Sequence, residues 1–150
     1  MPNKNILNNL QREGLSLAST KSRALSFIVD DLIVSSILVA GFSSHFTGIS
    51  TLEEALIVSR KLLAFKVILS FFYQFVFIHL YAATPGKIWQ KIIVVQEDDF
   101  YKPSLARSAI RAATRTVSEI IFFYGFITAF LSPLKKTWHD YAGKTIVINA

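Results

Sequence analysis

A chain of 150 residues is one domain by length, and its 52% apolar and 17% charged content departs from a soluble domain, which carries about 25% charge. Thirteen phenylalanines and a mean hydropathy of +0.44 exclude a disordered tail and disfavour an ordinary soluble enzyme. The absence of cysteine excludes disulfides, thiolate metal sites and a cysteine nucleophile, and the net charge of +6 comes from basic residues that flank apolar runs, a membrane-surface pattern rather than a nucleic-acid one.

Residues 1–22 are polar and carry Lys4, Arg12 and Lys21. They read as a cytoplasmic lead-in, with a short amphipathic helix marked by Ile6, Leu7, Leu10, Leu15 and Leu17, ahead of a transmembrane domain over 23–150. A signal peptide is disfavoured, because the apolar run begins late, two aspartates interrupt it and no small-residue cleavage site follows. Ala24 to Phe42 is the first span, roughly 28 Å of helix and enough for a bilayer core. A loop to Lys61 follows, then a second, Phe-rich span from Leu62 to Ala83.

Thr84-Pro85-Gly86-Lys87 breaks that helix and reads as a turn at the membrane interface; without a glycine-rich run before it, it is not a phosphate loop. Ile88 to Val95 is too short to span and reads as a strand or interfacial segment, closed by the turn Glu97-Asp98-Asp99. Ser104 to Thr116 is a basic amphipathic helix, with Arg107, Arg111 and Arg115 along one stripe that is expected to meet anionic lipid headgroups at the cytoplasmic face. Glu119 follows Arg115 by four, the spacing of an intrahelical pair. Val117 to Leu134 is a third apolar run, and a basic tail, KKTWHDYAGKTIVINA, ends the sequence. The expected fold is thus all-α and polytopic, with two clear spans and a third span or re-entrant hairpin.

Lys/Arg counts of four through Arg23, two in the 43–61 loop and six in 84–116 put the N-terminus in the cytoplasm. A third full span would send Lys135, Lys136 and Lys144 outside, against the same rule, so the charges lean towards a re-entrant hairpin and a cytoplasmic tail.

Asp30 lies inside the first span, seven residues after Arg23 and on the same face; Asp31 points about 100° away. A carboxylate in hydrocarbon suggests function by default. With Arg23, Asp30 and the run Lys135 to Val147, which holds Asp140, the chain resembles the RDD family of bacterial membrane proteins, named for one arginine and two aspartates. The resemblance extends to Thr84-Pro85-Gly86-Lys87 and to Arg111, and covers about residues 17 to 149 in order. One departure is Lys144, where many relatives place the threonine directly after the glycine. The resemblance implies a multi-pass protein of the bacterial inner membrane and a proposed role in transport, some members resembling cation/proton antiporters. It names no substrate.

Depth arithmetic sets Asp30 about 9 Å inside the core and Lys66 about 6 Å from the outer edge, too far apart to pair, so Lys66 is expected to snorkel outward. Tyr73 and Gln74 lie level with Asp30 and are candidate hydrogen-bond partners; Lys66, Ser70, Tyr73 and Gln74 form a polar stripe suited to facing other helices. Arg23 or Arg111 is the candidate cation for Asp30. Two readings stay open. In one, Asp30 exchanges a proton for a cation in a small transporter, which at this size requires a homo-oligomer. In the other, Arg23, Asp30 and Asp140 form a structural charge network in a non-transporting scaffold or accessory subunit with a protein partner. No catalytic constellation, metal-ligand spacing or cofactor motif emerges, so no enzyme, metal, cofactor or nucleic-acid partner is expected.

Overall fold

The computed structural model describes the backbone of residues 2–120 and 132–150, and the side chains of 5–44, 47–120 and 132–150. The centre of the third apolar run, with Gly125, lies outside the described residues. Helix α1 (Pro2–Arg12) is followed by the long helices α2 (Thr20–Gly41) and α3 (Leu52–Tyr81), then by α4 (Pro85–Trp89), strand β1 (Ile92–Gln96), α5 (Leu105–Ile120), α6 (Trp138–Ala142) and strand β2 (Thr145–Asn149).

Local chemistry defines the ends of both long helices. Ser19 caps α2 by accepting the Ser22 N–H at 3.0 Å. Thr51 and Glu54 form a reciprocal capping box at the start of α3. Ala82, in the left-handed region at φ 57°, ends α3, and its carbonyl then accepts the Val94 N–H at 2.7 Å. The two helices form an antiparallel hairpin: the rings of Phe42 and Phe65 meet near its turn at 4.8 Å, and Tyr73 lies level with Asp30.

Mean hydropathies of 1.9 and 1.8 make α2 and α3 candidate membrane spans, yet only 22% and 17% of their apolar windows are buried. The core helix of a soluble protein would be mostly enclosed. Here the polarity runs the other way. Ser26, Asp30, Val34 and Leu38 of α2 and Ser70, Tyr73, Gln74 and Ile78 of α3 are buried. Leu25, Ile28, Leu32, Ile68, Phe72 and Leu80 stand exposed. Polar inside and apolar outside is the pattern of a helix pair solvated by lipid. The polar stripe expected on the second span therefore faces inward at Ser70, Tyr73 and Gln74.

The expectation of an all-α fold needs correction. The β-branched runs IIVV and TIVI pair as an antiparallel two-stranded sheet, with Val94 opposite Val147 and Gln96 opposite Thr145. The 88–95 segment divides between α4 and β1. Leu17 bridges Ile148, and the Asn149 N–H reaches the Ser16 carbonyl at 2.9 Å, so the lead-in lies along the sheet. Leu10 of α1 packs with Val95, Ile146 and Ile148 in a second small core.

The hairpin turn thus lies at one end of α2 and α3, and the sheet, α1, α4 and α6 gather at the other. Single cysteines at Glu53 and at Lys102 or Asn149 are accordingly expected to label from opposite faces of sealed vesicles with an impermeant thiol reagent. Labelling of Glu53→Cys and Asn149→Cys from the same face would refute this arrangement.

Candidate functional site

Two buried carboxylates organise the Arg23 end of the molecule. Asp140 is fully enclosed. Its Oδ2 accepts from Arg23 Nη1 at 2.9 Å, from the Thr137 N–H at 3.0 Å and from Thr137 Oγ1 at 2.8 Å. Its Oδ1 accepts from Arg111 Nη1, which also donates to Thr145 Oγ1 at 2.8 Å. The Thr137 bonds arise because Asp140 stands three residues into α6 and closes a capping box at its start. Arg23 further donates to the Lys135 carbonyl at 2.6 Å. Burial alone would raise the Asp140 pKa; the guanidiniums of Arg111 and Arg23 outweigh it and hold the carboxyl well below its usual range.

His139 sits beside this cluster with Nε2 at 2.8 Å from Thr137 Oγ1. The hydroxyl has one proton, which goes to Asp140, so the imidazole donates from Nε2. Burial, reinforced by Arg111, pushes His139 well below its ordinary pKa and keeps it neutral.

Asp30 is 1% exposed. Its Oδ1 accepts from Tyr73 OH at 2.9 Å and from the Gly86 N–H at 2.9 Å, and its Oδ2 accepts from Thr84 Oγ1 at 2.6 Å. Lys87 Nζ supplies the cation at 3.7 Å. The Thr-Pro-Gly-Lys quartet is therefore more than an interface turn. Thr84 gives a hydroxyl, Pro85 suits the first turn of α4, Gly86 gives a bare N–H and Lys87 gives charge. Glycine is required by close approach: a Cβ at Gly86 would lie 2.3 Å from the Ser26 carbonyl oxygen and 2.8 Å from Asp30 Oδ1.

Tyr73 meets Asp30 as the sequence suggested, while Gln74 is buried nearby and Asp30 takes its bonds from the other three donors. Neither Arg23 nor Arg111 is the cation for Asp30; both turn to Asp140. Lys66 does not pair with Asp30, but it does not snorkel outward either. It bridges Asp31 at 2.8 Å, its flexible stem spanning the remaining depth. Of the three arginines expected along a headgroup-facing stripe, Arg111 and Arg115 are enclosed. Arg115 donates to Glu119 at 2.9 Å and stacks over Phe27 at 5.0 Å. Arg107, more exposed, donates to Asp98 at 2.5 Å. Periodicity was right that the three share a face, but that face packs against the rest of the fold. Lys87, Thr84 and Thr137 were missed as ligands, although the quartet itself had been singled out.

Chemically, Asp30 is a satisfied carboxylate. The void beside it is about 10 Å³, room for about one water at most. Among the described residues no group of three or more His, Asp or Glu is placed to hold a metal ion.

Comparison with known families matches the chain to the model described as the RDD family, over residues 17–144. The matched range contains Arg23, Asp30, the quartet, Arg111 and Asp140. No curated protein and no solved structure was found to match.

Two outcomes are expected from this geometry. Gly86→Ala forces the quartet away from Asp30, an overpacking cost of about 1–3 kcal/mol, read as a lower thermal midpoint in detergent. Burial, with Arg115 close by, pushes Lys87 from 10.5 down to about 7 against the pull of Asp30. Between those values the unfolded chain holds a proton that the folded chain lacks, so stability rises with pH from about 7 towards 10.5. Lys87→Met is expected to flatten that rise in a series of midpoints against pH.

Proposed function

The chain belongs to the RDD family, and from that membership and its two closed carboxylate clusters we propose a multi-pass inner-membrane scaffold or accessory subunit rather than a self-contained transporter. The observation that carries this reading is the saturation of Asp30. Tyr73, Thr84, Gly86 and Lys87 occupy the carboxylate, and the adjoining void has no space for a hydrated cation. Arg23, Asp30 and Asp140 then act as clasps. Asp30 fastens the segment after α3 to α2, and Asp140 fastens the tail to α2 and α5.

The N-terminal lead-in faces the cytoplasm in this reading, because Lys and Arg are concentrated at the Arg23 end. The tail joins it there, since Asp140 touches Arg23. Anionic lipid headgroups are the expected companions of the exposed basic residues at that end, Arg107 among them.

Transport through a homo-oligomer is kept as a second reading on one specific observation. The Asp31–Lys66 pair lies within the candidate spans with its side chains 39% and 35% exposed. Ions at that depth favour cover by protein, either a second copy of this chain or another membrane partner.

Asp30→Asn separates the readings. On the scaffold reading it lowers the thermal midpoint and the membrane yield, while wild-type proteoliposomes dissipate proton or sodium gradients no faster than empty vesicles. Wild-type dissipation that Asp30→Asn or Asp31→Asn abolishes without loss of folding would establish antiport in its place.

A further inference from the structure

A cavity of about 110 Å³ lies between the two carboxylate clusters. Arg23, Lys87, Arg111 and Arg115 line it, with the neutral His139 and the ring of Phe27. No aspartate or glutamate is among its described lining residues. The matching carboxylates stand behind the cations: Asp140 behind Arg23 and Arg111, Asp30 behind Lys87, and Glu119 behind Arg115. Four basic groups thus face three carboxylates in this cluster, and the one positive charge in excess is complete below about pH 7, where Lys87 is protonated.

One lining residue carries an unmet donor. Arg23 Nε is buried and has no acceptor among the described residues, although its Nη1 is doubly engaged. A buried N–H without an acceptor is costly, so Arg23 gains from any oxygen lone pair that comes within its reach. The volume admits a small polyatomic anion, since a single water needs only about 10–15 Å³ measured the same way. Guanidinium forks match tetrahedral oxyanions and carboxylates better than a point charge does. Thr20 and Ala24, also on the wall, belong to the first turns of α2, the depth at which phospholipid phosphates sit.

We propose that this cavity binds one phosphoryl group, carried either by an anionic phospholipid headgroup or by a soluble phosphate. The site is independent of the choice between scaffold and transporter, because neither reading uses the cavity. It differs from a surface stripe of arginines in being a recess of limited volume, with room for a single group.

The test uses the full chain purified in a neutral, phosphate-free detergent. Labelled inorganic phosphate in equilibrium dialysis probes the soluble source. Native mass spectrometry after exchange into phosphatidylcholine vesicles with or without phosphatidylglycerol probes the lipid source. Saturable one-to-one binding of either probe, weakened at least tenfold by Arg115→Gln and little changed by Arg60→Gln near the far end of α3, is the expected result. Phosphate binding without retained phosphatidylglycerol identifies the free anion; retained phosphatidylglycerol without phosphate binding identifies the headgroup. Should Arg115→Gln fail to fold, the wild-type protein gives a second reading: the Arg23 Nε–H resonance shifts as the bound probe is titrated. Absence of binding by both probes, or binding that leaves the Arg23 resonance unmoved, overturns the proposal and leaves a cavity filled by water.

Discussion

The contact between Asp140 and two guanidiniums governs how this molecule holds together. A carboxylate withdrawn from water loses far more solvation than one ordinary hydrogen bond returns. Asp140 recovers it from Arg23 on α2, Arg111 on α5 and Thr137 at the start of α6, while Arg111 reaches on to Thr145 of β2. Elements far apart in sequence are therefore located by one side chain. A shift of α2 or α5 would strip Asp140 of one of its two guanidiniums, and a shift of β2 would cost Arg111 its bond to Thr145.

Such clasps matter more here than in a water-soluble fold. Lipid tails are as apolar as leucine, so the exposed Leu and Phe faces of α2 and α3 give the helices little reason to associate. Association falls to the inner faces, where Asp30, Ser70, Tyr73 and Gln74 are buried. At the sheet end the usual rules return. There Leu10, Val95, Ile146 and Ile148 form an ordinary apolar core. The molecule joins two kinds of interior, a polar one between the spans and an oily one beneath the sheet, with the two carboxylates near their junction.

Much of this was readable from residues, and the gaps have a common cause. Hydropathy and helical period located the apolar part of both spans and turned Ser70, Tyr73 and Gln74 inward, because those signals are local; they missed that α3 starts at Leu52, inside the segment expected as a loop, where Thr51 and Glu54 cap it. The Arg115–Glu119 pair followed from a spacing of four in the same way. Long-range partners were a different matter. Arg23 and Asp30 share a face of one helix, which made them look like companions, yet each is claimed by a residue dozens of positions away. The two five-residue strands were hidden likewise, since neither has a neighbour in sequence to pair with. Lys87 was discounted as part of a turn. Its quartet is set apart by contact with Asp30, a fact about approach distance that no spacing rule encodes.

Chain order gives the two clusters different histories. The partners of Asp30 arrive early: Tyr73, Thr84 and Gly86 follow it by 43, 54 and 56 residues, so the hairpin acquires its lock soon after the second helix leaves the ribosome. Arg23 waits for 117 residues before its carboxylate is made. Throughout that interval a nascent chain carries Arg23, and later Arg111, with their eventual partner still missing. Both guanidiniums must be kept solvated by water or phosphate at the membrane surface until Asp140 emerges. Final closure is thus a late event, in which two arginines leave the interface and are drawn under cover together.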